Sequence, residues 1–240
     1  MFKKVVFEKA VVGILSGLML FGGLAPITAH AGKQSYVFYT ENPGAIFTFE
    51  AEHQEENLSD YLGHTVTKFE TNTANDFVSK WNSMDSNADT VVIYSHMQER
   101  AILFEPGADT NAITLNGKNR TGTAYVDAAL NQLSQKNMAT LALMGCNAGL
   151  VGVDNIAKCL IRNNITPNST VYAFDGNCKF GCSLLRDNTG DYSCRLSGPQ
   201  VGFNNLLKTH GINKRAPMGL IEYKIKSDGT MGCSVTSKTF

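Results

Sequence analysis

Two segments of this chain each end an apolar, β-type run on a residue that can do chemistry. Val91-Val92-Ile93-Tyr94-Ser95 stops on His96, and Leu141-Ala142-Leu143-Met144-Gly145 stops on Cys146, which opens the run Cys146-Asn147-Ala148-Gly149. A cysteine attacks as its thiolate, and a neighbouring imidazole can take the thiol proton. The two residues together are therefore a nucleophile and a general base, and the chemistry they support is acyl transfer, most simply hydrolysis of a peptide bond. The glycines of the second run permit a tight turn, and a helix pattern follows within a few residues. This arrangement predicts outward-pointing N–H groups for an oxyanion hole, led by the Cys146 N–H, and a lowered thiol pKa.

Other chemistries are less well served. Ser95 precedes His96, yet no G-x-S-x-G elbow is present. His53, His64 and His210 sit in polar, exposed-looking contexts without metal-ligand spacing, and no phosphate-binding or dinucleotide fingerprint occurs. The chemistry read here calls for neither a metal nor an organic cofactor.

For His96 and Cys146 to meet, their strands must be neighbours in an open sheet, where sites form at the carboxyl ends. The periodicity fits that demand: strand and helix patterns alternate, as in an α/β fold with a mostly parallel sheet and helices on both faces, a three-layer αβα sandwich. Strands are expected at 35–39, 65–69, 91–95, 138–144, 170–174, 219–225 and 231–235. Residues 45–49 start a helix or a strand, and Thr73 is an N-cap candidate for a helix carrying Phe77, Val78 and Trp81. Further helices are expected at 125–133, 155–163 and 201–209. After His96 the pattern is that of a hairpin, 101–104 and 112–115, around Pro106 and Gly107.

Residues 177–199 are rich in Gly, Cys, Asp, Asn and Ser, and they predict a long loop or hairpin. Four of the six cysteines, Cys178, Cys182, Cys194 and Cys233, lie in this C-terminal third, and in an oxidising compartment they read as disulfide partners of unspecified connectivity. A four-thiolate zinc site is the competing reading, although the spacing of Cys178 and Cys182 is wider than the usual pair. Cys159 falls within a helical pattern as a buried free thiol.

The amino terminus explains why such a compartment is expected. Lys3 and Lys4, an apolar stretch from Val11 to Leu24 and Ala29-His30-Ala31 have the order of a secretory signal, 1–31, with a mature domain at 32–240. The protein is expected to be secreted, with no membrane association once the signal is removed. Taking Lys3, Lys4, Lys9 and Glu8 from 21 basic and 21 acidic residues leaves 18 and 20. The basic residues are scattered, so a nucleic-acid partner is not expected and a protein or peptide substrate is.

With these residues in view, the chain resembles the caspase-hemoglobinase fold of cysteine peptidases, which includes caspases, legumain, gingipains, clostripain and separase. The resemblance rests on Ser95-His96 and on Met144-Gly145-Cys146-Asn147-Ala148-Gly149, and it covers 91–176. The cysteine run looks most like that of bacterial caspase-like proteins. A looser likeness, over most of the mature chain, is to caspase-like toxin modules at the C-termini of bacterial RHS-repeat proteins. The resemblance implies His96 and Cys146 as the catalytic dyad of a secreted endopeptidase. It also implies an oxyanion hole from backbone N–H groups at Cys146 and at Met97, the residue after the histidine. Met97 stands where the family usually has glycine, and Met144 stands where some arginine-specific members have an acid. Asp175, at the end of the following strand, is a candidate substrate contact, with a helix-cap or turn role as the alternative. The rival functional reading is a catalytically inactive caspase-like secreted binding or toxin-accessory module, which Met97 favours. A third is an acyltransferase or ligase using the same acyl-enzyme.

Overall fold

The computed structural model describes residues 33–41, 46–104, 111–115, 128–186, 192–202, 219–226, 228 and 230–236. Five parallel strands make up most of the main sheet, the inner four with the apolar, β-branched and aromatic composition of doubly buried strands and the fifth, the edge strand 65–70, more polar. They are β1 (Gln34–Tyr39), β2 (Thr65–Glu70), β3 (Asn87–Tyr94), β8 (Asn137–Met144) and β9 (Thr170–Asp175). Two antiparallel strands extend it, β12 (Gly219–Ile225) and β13 (Met231–Thr236), giving the order β13-β12-β9-β8-β3-β1-β2.

Side-chain alternation divides the core between the two faces. On one face Val37, Val92, Tyr94, Ala142, Met144, Tyr172 and Phe174 pack beneath α1 (Ile46–Glu56), which contributes Phe47 and Ala51. On the other, Phe38, Val91, Ile93, Leu141, Leu143, Val171 and Ala173 meet α2 (Ala74–Ser83) and α3 (Ile156–Asn163). The molecule is thus an α/β fold with a mostly parallel seven-stranded sheet and helices on both faces. Thr73 caps α2 by accepting from the Asp76 N–H at 3.1 Å, as its type and position predict. Trp81, fully buried on that helix, places its indole N–H 2.9 Å from the Ser134 carbonyl, so the largest apolar side chain of the core also meets its one polar requirement.

Between β3 and β8 the chain makes a small second sheet from β4 (His96–Gln98), β5 (Ala101–Leu103), β6 (Ala112–Thr114) and β7 (Ala128–Ala129). The expected hairpin is therefore present. Of the helix expected at 125–133, residues 128–129 instead pair in parallel with β6 and 130–132 make a 3₁₀ turn, while 125–127 lie outside the described residues. Tertiary hydrogen bonds override the local pattern here, because the Asn164 side-chain amide donates to the carbonyls of both Leu130 and Leu133. Of the helix expected at 201–209, Val201 and Gly202 instead finish a strand, and the remainder lies outside the described residues.

Residues 177–199 fall within a hairpin, β10 (Asn177–Arg186) against β11 (Tyr192–Gly202). Disulfides do not staple it among the described residues. Cys178 is a buried free thiol and Cys233 an exposed free thiol on the edge strand β13; the side chains of Cys182 and Cys194 lie outside the described residues. An antiparallel ladder joins the two strands, with a register shift between Phe180 and Cys182, and sets Cys182 opposite Leu196 and Cys194 opposite Leu184. No helix among the described residues is long and apolar enough to cross a membrane.

Candidate active site

The parallel register places Tyr94 of β3 beside Met144 of β8. Two residues beyond each lie His96 and Cys146, half-buried at the carboxyl edge of the sheet. Alternation returns both to the side of Tyr94 and Met144, the face covered by α1. Cys146 packs against that face, and the Phe47 ring of α1 meets the His96 ring edge-on with centroids 5.2 Å apart.

What lets the two strand ends approach is the absence of a side chain at Gly145. A Cβ there would lie 2.4 Å from the Ser95 carbonyl oxygen and 2.5 Å from Met97 Cγ. Met97 thus turns its side chain into the core, filling the volume that Gly145 vacates. Ser95, also buried, donates its hydroxyl to the Leu103 carbonyl and ties the start of the second sheet to this edge.

The loop after Cys146 is fastened from beneath. Asn147 adopts φ 59°, a left-handed conformation that asparagine tolerates better than most residues. Its N–H donates to the Gly176 carbonyl at 2.7 Å, the Gly149 N–H to Phe174 at 3.0 Å and the Leu150 N–H to Asn147 at 3.1 Å. Gly149 itself sits against β9, where a Cβ would meet the Ala173 carbonyl oxygen at 2.7 Å. Asp175 is fully buried, and its carboxylate accepts from the Val151 N–H at 2.9 Å. It braces the loop, the turn-type role, rather than lining an open surface. The N–H groups expected to face outward are thus largely consumed in holding the loop; the Cys146 N–H carries no hydrogen bond among the described residues.

The expected lowering of the thiol pKa by a following helix does not occur. Residues 146–153 make turns, and α3 begins only at Ile156, with the Asn155 side chain accepting from the Lys158 N–H at 2.9 Å. Helix-end effects fade within about one turn. Burial instead pushes the Cys146 thiol up, partly offset by a backbone hydrogen bond with Cys178. Burial also holds the His96 imidazole below its ordinary value. Both effects favour the neutral forms of the thiol and the imidazole. Cys146 Sγ points its hydrogen to the Cys178 carbonyl at 3.6 Å, and no hydrogen bond joins it to His96. No carboxylate orients the His96 ring among the described residues; Phe47 is the ring's neighbour.

Two arrangements escaped the sequence reading. Glu50 of α1 is 3% exposed, burial raises its carboxyl to about 7, and its Oε1 has no hydrogen-bond partner among the described residues. Beside it the Tyr94 hydroxyl donates to Gln54 Oε1 at 3.2 Å. The detectable signal was the spacing of Phe47, Glu50, Ala51 and Gln54, which puts two polar residues on the buried stripe of the helix. The second lies at the amino edge of the sheet. His64, expected to be exposed, is buried: its Nδ1 is 2.8 Å from Ser35 Oγ, and its Nε2 is 3.7 Å from Asp89 Oδ1. Among known proteins, no family model matches the chain and no curated protein shows significant similarity to it.

Proposed function

We propose that the protein is an exported, caspase-like cysteine endopeptidase in which Cys146 is the nucleophile and His96 the general base and acid. The observation that supports this reading is the register of β3 and β8, which pairs Tyr94 with Met144 and so puts His96 and Cys146, both half-buried, two residues past that pair at the carboxyl edge of the sheet. A rotation of the thiol from the Cys178 carbonyl toward His96 starts the reaction. His96 takes the proton as Sγ attacks the substrate carbonyl, and the Cys146 N–H donates to the oxyanion. His96 then protonates the leaving amine, leaving an acyl-enzyme. A water molecule gives His96 its proton as it attacks the acyl carbon, and the thiol recovers that proton when the acid departs. A neutral imidazole is the form this sequence requires.

A second reading is supported by the same thiol. Its proton is committed to Cys178 and its pKa is raised, as suits a buried structural cysteine in an inactive binding or toxin-accessory module.

The deciding experiment is exposure of a mixed peptide library to the mature protein under mild reducing conditions, beside Cys146→Ala and His96→Ala. The peptidase predicts defined cleavage products that disappear with Cys146→Ala and fall by about a hundredfold or more with His96→Ala. A folded wild type that cleaves nothing and whose Cys146 is unreactive to iodoacetamide would instead establish the binding module. Transfer to an added amine in place of water would identify the acyltransferase variant.

A further inference from the structure

The hairpin strand β10 leaves the main sheet directly over Cys146, and the reason is local. β9 ends at Asp175, and Gly176 follows at φ 136°, a backbone conformation that side-chain-bearing residues rarely adopt. The turned chain is then held against the cysteine loop at two points. The Gly176 carbonyl accepts from the Asn147 N–H at 2.7 Å, and the Cys178 carbonyl accepts from Cys146 Sγ at 3.6 Å. Cys178 thus has its own main chain in contact with the sulfur of Cys146, and both residues pack into the apolar cluster beneath α1.

We propose that Cys178 is a resolving thiol for Cys146, so that oxidation joins the two sulfurs and reversibly withdraws the nucleophile. This regulation rests on the reading of Cys146 as the nucleophile. The oxidant is a hydroperoxide, the simplest being hydrogen peroxide. Cys146, as its thiolate, attacks one peroxide oxygen; the O–O bond breaks, leaving a sulfenic acid on Cys146 and a hydroxide that takes up the released proton as water. The Cys178 sulfur then attacks the sulfenic sulfur; the S–O bond breaks, and the departing oxygen leaves as a second water carrying the Cys178 proton. Two thiols and one peroxide thereby give one disulfide and two waters. A dithiol reverses the linkage by exchange.

The other described thiols are placed less well for this. Cys159 lies on α3, on the opposite face of the sheet, with Asp154 and Arg162 around its sulfur. Cys233 lies on β13, three strands from β8 and so about 14 Å away across the sheet. The order of events also follows from exposure: Cys146 is half-buried and Cys178 is 8% exposed, so a small oxidant meets Cys146 first.

The test is peroxide treatment of the mature, reduced protein followed by peptide mapping under non-reducing conditions. A Cys146–Cys178 linked peptide that forms with peroxide and disappears with dithiothreitol is the expected result. Iodoacetamide labelling of Cys146 should fall about tenfold on oxidation and recover on reduction, and Cys178→Ala should convert that loss into an irreversible one, with sulfinic acid at Cys146. Sulfinic acid at Cys146 of the wild type with Cys178 still a free thiol, or Cys146 linked to another cysteine, would overturn the proposal. Linkage is read by mass, independently of peptide cleavage and of whether the Cys178 variant folds. A protein that cleaves nothing yet forms the linked peptide would therefore refute the peptidase and keep the thiol pairing.

Discussion

The two ends of the same sheet each carry a histidine with a hydroxyl- or thiol-bearing residue near it in the fold, and the two clusters differ in burial and hydrogen bonding. At the amino end, Ser35, His64 and Asp89 form a Ser-His-Asp chain whose Ser–His contact, 2.8 Å, is tighter than anything around His96. Yet Ser35 is fully buried, its hydroxyl also takes the Thr90 N–H at 3.3 Å, and Asp89 is engaged by Lys33 at 3.0 Å. At the carboxyl end, His96 and Cys146 are half-buried and share no hydrogen bond. Good hydrogen-bond geometry around buried polar groups marks a structure already satisfied. Chemical capacity lies where strands stop and a reactive group keeps an open side, which in a parallel sheet is the carboxyl edge.

The contrast breaks most sharply under paired substitutions. Cys146→Ala should abolish peptide cleavage, by about a thousandfold or more, with little change in thermal stability. Ser35→Ala should leave kcat/KM in place and lower stability by about 1–3 kcal/mol, read by urea denaturation, because it strands the His64 ring nitrogen and the Thr90 N–H. Cleavage lost with Ser35→Ala at unchanged stability would reverse the assignment of the two clusters.

Gly145→Ala probes the strand-end packing that brings the carboxyl-end pair together. With a Cβ forced against the Ser95 carbonyl, the loop must shift by a fraction of an ångström or more. A loss of about a hundredfold in kcat is expected, with about 1–3 kcal/mol of destabilisation. Full activity in this variant would show that the approach of the two strand ends does not matter to the chemistry.

The pH dependence sharpens the comparison further. Because burial lowers the His96 pKa, the neutral base persists to lower pH, and the acid limb of kcat/KM should fall below the ordinary imidazole value of 6.5. An acid limb above 6.5 would place an unrecognised anion beside the ring.

A further effect, on stability alone, concerns Glu50. Its carboxyl is raised from 4.5 to about 7 in the folded protein, so the folded state binds more protons than the unfolded state across that interval. Stability should therefore decline as pH rises from 4.5 to about 7 and level off above it. Glu50→Gln should flatten this slope and be the more stable protein at pH 8, as followed by the thermal midpoint.

Much of this arrangement is visible in the chain because its causes are local. Val91–Tyr94 and Leu141–Met144 are continuous apolar runs, and such runs become buried parallel strands wherever a sheet forms. The N-cap at Thr73 depends on residues within one helical turn. The helix expected at 125–133 fails for the opposite reason: the groups that decide it belong to Asn164, more than thirty positions away. The neighbourhood of Cys178 was hidden for a similar reason, since cysteine spacing carries no information about the backbone turn at Gly176 that sets the Cys178 carbonyl against the Cys146 sulfur.

The sequence by itself determined that a histidine and a cysteine would lie just past the ends of buried strands, because strand formation and termination follow from short-range pattern. Only the tertiary structure decided what surrounds them: the thiol directed to a carbonyl 32 residues away, Asp175 turned inward to brace the loop, and Glu50 sealed under α1 with a raised pKa. Desolvation and hydrogen-bond partners depend on which distant segments are packed together, and the folded chain alone specifies that.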